Sequence, residues 1–458
     1  MTPPVASRRG GTGRTGHSET SRQIVHITMG GFALLLRWLT WWQALALAGT
    51  ALLFNLFLLP RMARRLYRPG DEARGLHGIV YYPLAVVLLI LTFPRRPDII
   101  AAAWGILAAG DGIATLAGRA IGGPRWPWNR KKTVSGSVAF AVCGAAAGVC
   151  LAWWCRPAMS PPPSMAFTIL APIAAALVAA LVETIPVRLD DNLSVAATAG
   201  GVMALVSLVS LQQLPFALVV AQDRLPLALV LNGAVAFAGH RARTVTIAGA
   251  LIGAGIGMAV YLSTGLPGWS LLLVTFAVAT IASRVGLKRK MVLGIAEERG
   301  GRRGAGNAIA NTGVAAIAGL VALTGTSPDL ARLAFAVALT AGGSDTIASE
   351  IGKAFGRHTV SITSLKGVPP GTSGAMSLEG TAAGVAGALA LGTVAVVLRL
   401  VPREMLPLVV VAATVGSLVE SWLGATLEAP GILNNDVLNF INTGTAALTA
   451  VGLAIYLS

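Results

Sequence analysis

Apolar residues run in long blocks through almost the whole chain, at about 24–40, 41–59, 79–93, 99–118, 134–154, 165–185 and 195–221. A second series follows at about 225–238, 245–263, 268–283, 307–324, 329–352, 375–399, 406–425 and 438–457. An α-helix needs roughly 17 to 25 apolar residues to cross a bilayer, so the pattern predicts an all-α polytopic membrane protein of about fifteen transmembrane helices. Most blocks are apolar all round, which blurs the 3.6-residue period and leaves a short one such as 225–238 open to a re-entrant reading. Residues 1–22 carry Arg, Ser, Thr and Gly without an apolar run, and read as a disordered basic tail. Ser7-Arg8-Arg9 resembles a twin-arginine signal, but no cleavable apolar core follows, and the stretch is short for an organelle transit peptide.

The polar interruptions of this pattern occur twice. Asp111 to Gly122 reads D-G-I-A-T-L-A-G-R-A-I-G, and Asp345 to Gly356 reads D-T-I-A-S-E-I-G-K-A-F-G. Each aspartate is followed 21 residues later by a lysine, Lys132 or Lys366, then by Gly136-Ser137 or Gly371-Thr372. Further on, Glu183 answers Glu420, and Asp190-Asp191-Asn192 answers Asn434-Asn435-Asp436. This predicts an internal duplication, with domains at 23–222 and 223–458. The fourth block matches the twelfth, and an even offset makes the copies parallel, unlike the inverted repeats of many transporters.

Composition excludes a soluble protein: 55% of residues are hydrophobic, 12% are charged and the mean hydropathy is +0.72. A net charge of +16 would suit a nucleic-acid binder, but the basic residues lie in short loops between apolar blocks. With the N-terminus inside, Lys and Arg divide 27 to 7 in favour of inside loops. The positive-inside rule therefore accounts for the charge without nucleic acid. It places the N-terminus, both Asp-to-Lys loops and both loops after the glutamates in the cytoplasm, as in a bacterial inner-membrane protein. Cys143, Cys150 and Cys155 share one block without metal-ligand spacing, and read as small packing residues.

A carboxylate at bilayer depth costs about 2.5–3.5 kcal/mol, so Asp111 and Asp345 are expected to face polar cavities. Thr115, Gly118 and Gly122 share the helical face of Asp111, and Ser349, Gly352 and Gly356 that of Asp345. Without the acids such a face would read as a small-residue packing seam. Carboxylates on one membrane side together with a basic, glycine-flanked loop suit phosphate chemistry, because carboxylates hold Mg²⁺ (or Mn²⁺) while lysine and backbone N–H groups neutralise phosphate oxygens. The expected metal ligands are Asp111, Glu183 and Asp191 in one copy and Asp345, Glu420 and Asp436 in the other. Lys132, Gly136, Ser137, Lys366, Gly371 and Thr372 are expected at the phosphates, with Asn192, Asn435 and Asn439 nearby. Arg22 and His26 enter the first block at i, i+4, and Arg303, Asn307 and Asn311 form a similar polar entry to the eleventh. Beside Lys132, Arg130 and Lys131 keep open an ordinary loop-charge reading.

The first half, with S-R-Q-I-V-H-I-T-M-G-G, G-D-G-I-A-T-L-A-G-R-A-I-G, N-R-K-K-T-V-S-G-S and V-E-T-I-P-V-R-L-D-D-N-L, resembles the dolichol kinase and phytol kinase family. The second, with G-G-S-D-T-I-A-S-E-I-G, K-G-V-P-P-G-T-S-G-A-M-S and N-N-D-V-L-N-F-I-N-T-G, resembles the family containing plant phytyl-phosphate kinase. The resemblance implies a bifunctional membrane enzyme that phosphorylates an isoprenoid alcohol and then the isoprenyl phosphate, with CTP as donor. One position departs: where the alcohol kinases carry an acid in a K-S-x-E-G-S loop, this chain has Ser135 before Gly136. Two other classes remain as alternatives, a lipid-phosphate cytidylyltransferase and a transporter or flippase of isoprenoid phosphates.

Overall fold

The computed structural model of the chain describes residues 14–62, 77–186, 189–295 and 302–457. The chain divides into two compact units, Met1–Ser207 and Leu208–Ser458. Helix Leu214–Arg241 runs without a break across the boundary expected after residue 222. Of the expected N-terminal tail, residues 1–13 lie outside the described part, and the first helix, α1 (Arg14–Met29), already contains residues 14–22.

In the first unit α1 continues into a 3-10 segment, Gly30–Arg37, followed by α2 (Trp41–Leu53), α3 (His77–Thr92) and α4 (Pro97–Ala120). A hairpin of β1 (Arg125–Trp126) and β2 (Asn129–Thr133) leads to α5 (Val134–Cys155), α6 (Met165–Glu183) and α7 (Asp191–Ser207). Helix α4 is the axis of the unit. Ile99 to Ala103, Ile106 and Leu107 are buried on it, and it packs against α1, α5 and α7. Its middle is a wide π turn, Ile106–Asp111, which ends on the aspartate.

The second unit contains α8 (Leu214–Arg241), α9 (Ile247–Arg284), a short α10 (Leu287–Val292), α11 (Ala305–Thr324) and α12 (Pro328–Phe355). A hairpin of β3 (Thr359–Ser361) and β4 (Ala375–Ser377) follows, then α13 (Leu378–Val397), α14 (Leu406–Leu423) and α15 (Asn435–Leu457). Here α12 is the axis, buried from Phe335 to Ser344 and packed against α9, α11, α13, α14 and α15.

Ten helices among the described residues are long and apolar enough to cross a membrane, against the fifteen expected. Helix α3 and helix α7 are shorter, α12 carries Asp329, Arg332, Asp345, Glu350 and Lys353, and two expected spans are joined in α9. The 38 residues of α9 would measure about 57 Å at 1.5 Å per residue, nearly twice a hydrocarbon core. Gly265, at φ +70° and ψ −161°, breaks that length into two arms. Pro267 has no N–H to donate, so the break strands main-chain carbonyls. The Arg224 guanidinium satisfies two of them, donating to the Leu262 carbonyl at 2.9 Å and the Ser263 carbonyl at 3.0 Å. That is why the polar stretch from Asp223 to Pro226, which reads as a loop, lies inside α8.

Candidate functional site

Three carboxylates converge in the first unit. Asp111 closes the π turn of α4, Glu183 is the last residue of α6 and Asp191 the first of α7, and one oxygen of each lies within 4.8 Å of the others. Lys132, on β2, reaches in and donates to Glu183 Oε1 and, at 2.9 Å, to Asp191 Oδ2. Burial works against the charge of this lysine, but Asp191 and Glu183 together raise its pKa above the ordinary lysine value. Asp111 is the carboxylate that Lys132 does not hold. Beside it, His26 Nε2 lies 3.7 Å from Asp111 Oδ2 and 3.3 Å from the Leu107 carbonyl within the π turn. The His26 ring meets Tyr82 edge to face at 4.6 Å, and Tyr82 in turn accepts from Trp104 Nε1 at 2.8 Å. Arg22 bears electrostatically on both His26 and Asp111.

Three all-oxygen donors in reach of one point are a hard-cation set, fitting Mg²⁺ or Mn²⁺ better than a thiophilic metal. Two of the three already hold an ammonium, so the position attracts positive charge. This is the only such trio among the described residues. Asn192 stands beside it with its N–H and side-chain amide both donating to Asp190 Oδ1, at 3.0 and 2.7 Å, while its own Oδ1 is buried without a partner.

Gly118, Gly136 and Ser137 are occupied differently from the expectation. A Cβ on Gly118 would lie 2.8 Å from Thr133 Oγ1 and one on Gly136 3.0 Å from the Ala114 carbonyl, so α4 and α5 touch backbone to backbone. Thr133 caps α5 by accepting from Gly136 N at 3.2 Å. Ser137 is buried and accepts from Trp126 Nε1 at 2.9 Å. These residues build the seam between α4 and α5 beside Lys132.

In the second unit two carboxyls meet instead of three. Asp345, on α12, hydrogen-bonds Ser417 and Glu420 of α14, and Glu420 Oε2 accepts from Asn442 Nδ2 at 2.7 Å. Two neighbouring carboxylates repel, so the place favours a positive charge or a shared proton. Asn439 is buried one turn before Asn442. Asp436 goes elsewhere: a Cβ on Gly306 would lie 2.1 Å from its Oδ2, so it sits over the N-terminus of α11, where a helix dipole favours an anion. Asn435 and Ser349 are exposed, the latter donating to the Thr346 carbonyl.

The hairpin register of the second unit differs from the sequence alignment. Gly352 and Gly380 cross as Gly118 and Gly136 do, and Ser377 caps α13 by accepting from Gly380 N at 3.1 Å. Thr133 therefore corresponds to Ser377, so the position of Lys132 is held by Met376, ten residues beyond Lys366. Lys366 is exposed in the β3–β4 connection, and among the described residues its ammonium has no carboxylate partner. Gly371, at φ +85°, packs on Ile295, and Thr372 donates to the Pro369 carbonyl at 2.7 Å. The acid missing at Ser135 has its counterpart in Glu379, which accepts from Arg357 N at 3.4 Å. Ser135 ties the same junction in the first unit by donating to the Gly122 carbonyl.

Other polar groups escaped the sequence reading. Lys290 and Glu350 are almost fully buried and paired, Lys353 adds a second bond to Glu350 at 3.1 Å, and Lys290 also donates to the Ser283 carbonyl at 2.8 Å. Glu350 and Lys353 stand at i, i+3, which reads as an ordinary surface pair. Ser417, three residues before Glu420, carried a usable signal because that spacing places both on one face.

Residues 230–447 match the family model described as integral membrane protein DUF92. The chain is 37% identical over 201 residues to an uncharacterized membrane protein of Synechocystis, covering 43% of this chain and 78% of that protein. It is 32% identical over 203 residues to the chloroplastic protein VTE6 of Arabidopsis thaliana, covering 43% of this chain and 61% of that one. Against a soybean protein named probable phytol kinase 3 the identity is 30% over 199 residues, covering 39% of this chain and 60% of that one. The chain thus spans about three fifths of the two plant relatives. No solved structure matches it.

Proposed function

The chain belongs to the DUF92 family of integral membrane proteins, and on that premise we propose that it is a membrane kinase of isoprenoid lipids, duplicated internally so that two phosphoryl transfers follow one another. The first unit acts on an isoprenoid alcohol and the second on the isoprenyl monophosphate, with a nucleoside triphosphate, CTP, as donor. Similarity to proteins named phytol kinase and farnesol kinase supports the substrate class. The observation that carries the reading is the meeting of Asp111, in the π turn of α4, with Glu183 and Asp191 at the facing ends of α6 and α7, the latter two bridged by Lys132. A soluble nucleotide and a lipid head can meet at such a position. The division of Lys and Arg between loops supports a cytoplasmic site.

In the first transfer the alcohol oxygen attacks the terminal phosphorus, the bond to the bridging oxygen breaks and the nucleoside diphosphate leaves. The hydroxyl proton passes to an oxygen of the carboxylate group. Such a transfer needs little covalent chemistry and much positioning and charge neutralisation. Asp111, Glu183 and Asp191 would hold Mg²⁺, which neutralises phosphate charge when bound. Lys132 keeps Glu183 and Asp191 converged and presents a cation towards phosphate oxygens. His26, braced by Tyr82 and Trp104, fixes the π turn and with it Asp111. In the second unit Asp345 and Glu420 take the corresponding place.

Purified protein in detergent, supplied with CTP or ATP, Mg²⁺ and a panel of isoprenoid alcohols and monophosphates, should yield the mono- and diphosphates with release of nucleoside diphosphate, read by mass spectrometry. Release of pyrophosphate with a cytidylylated lipid would establish a cytidylyltransferase instead. Absence of any phosphorylated product, with gradient-dependent lipid movement in vesicles, would establish a transporter.

A further inference from the structure

Resting on that reading, we infer that the second unit takes its lipid through the cavity enclosed by α8, α9 and α11, with the isoprene unit next to the head inside it and the head against Asn311. The cavity measures about 130 Å³ and is walled by Val235, Gly253, Ile256, Leu272, Phe276 and Ala279. Apolar cavities of about this size hold one small hydrocarbon, so the rest of an isoprenoid chain lies in the bilayer. One wall departs from this character. Asn307 and Asn311, spaced i, i+4 on α11, and Arg303 just before that helix lay a polar strip along it.

Asn311 supplies the second observation. It is 7% exposed, its amide nitrogen donates to the Asn307 carbonyl at 3.0 Å, and its Oδ1 is buried with no partner. An unpartnered buried acceptor in an apolar setting costs about 1–3 kcal/mol unless a ligand donates to it. A Cβ on Gly342, which also lines the cavity, would lie 3.4 Å from that oxygen. Gly342 precedes Asp345 by one helical turn on the same face of α12. A head group donating an O–H to Asn311 is thereby brought beside the Asp345 and Glu420 pair. An alcohol hydroxyl and a singly protonated phosphate both offer that O–H.

The test uses the full chain in detergent and two photoreactive probes, an isoprenoid alcohol and its monophosphate, each with a diazirine on the isoprene unit next to the head. A Cβ on Gly253 would meet open space within the cavity, whereas one on Gly255 would meet open space outside its lining. Crosslinks are expected within 232–279 and 303–312, the stretches of α8, α9 and α11 that line the cavity, reduced at least about five-fold by Gly253→Phe and unchanged by Gly255→Phe. Stronger labelling by the monophosphate than by the alcohol would identify the head. Wild-type crosslinks confined to other segments, or labelling unaffected by Gly253→Phe, would overturn the inference. Labelling of the cavity by a protein that phosphorylates no isoprenoid would uphold the inference and sink the kinase reading instead.

Discussion

The acid, the lysine and the asparagine of these clusters play parts that their environments assign. Asp111 and Asn are nearly the same size, so Asp111→Asn keeps the π turn while removing a charge. Loss of one charged contact to the transition state costs about 2–4 kcal/mol, or about 30- to 1,000-fold. Formation of monophosphate is expected to fall by that factor, measured by product quantitation with unchanged thermal unfolding. Lys132→Ala does more, because it leaves Glu183 and Asp191 facing each other. Breaking a pair this buried costs up to about 3–5 kcal/mol, less here because Asp191 is partly exposed. A lower unfolding midpoint in detergent should accompany the lost activity. The two lysines that look alike in sequence are expected to differ: Lys366→Ala should change the second transfer less than about two-fold, while Asp345→Asn should reduce it at least about 30-fold. A large effect of Lys366→Ala would restore the alignment that pairs it with Lys132.

At the scale of elements, each unit is a helix carrying an aspartate, a hairpin, and a second helix whose first turn crosses the first at a pair of glycines. The crossing has no room for side chains. A Cβ on Gly380 would lie 2.7 Å from the Ala348 carbonyl, and overpacking of this kind costs about 1–3 kcal/mol. Gly380→Val is therefore expected to lower the unfolding midpoint and to impair the second transfer while sparing the first. The bent α9 gives a separate test. Arg224→Leu removes the donor to the Leu262 and Ser263 carbonyls, which costs about 1–3 kcal/mol for the groups left unpaired. Faster amide exchange around residues 262–268, with activity of the first unit unaffected, is the expected signature.

Over the whole molecule, two polar centres in two compact units predict complementary defects. In the full chain, Asp111→Asn should still convert supplied isoprenyl monophosphate to diphosphate, and Asp345→Asn should accumulate monophosphate. If either variant, shown to be folded, lost both transfers, the two-step assignment would fall. The order of the apolar helices, the bilayer setting and the carboxylates Asp111, Glu183, Asp345 and Glu420 were legible in the sequence, because a hydrocarbon solvent sorts residues by polarity and makes an acid that interrupts an apolar run conspicuous. Spacing along the chain could not tell which residues share a site. The Asp-to-Lys distance of 21 residues is common to both halves, yet the β3–β4 connection loops out, so Ser377 rather than Gly367 takes the capping place of Thr133. Asp436, expected to take the part of Asp191, rests on the start of α11, and the Lys290 to Glu350 pair joins segments that no local pattern connects. Those choices depend on where backbones come into contact in three dimensions, at glycine crossings, π turns and helix ends.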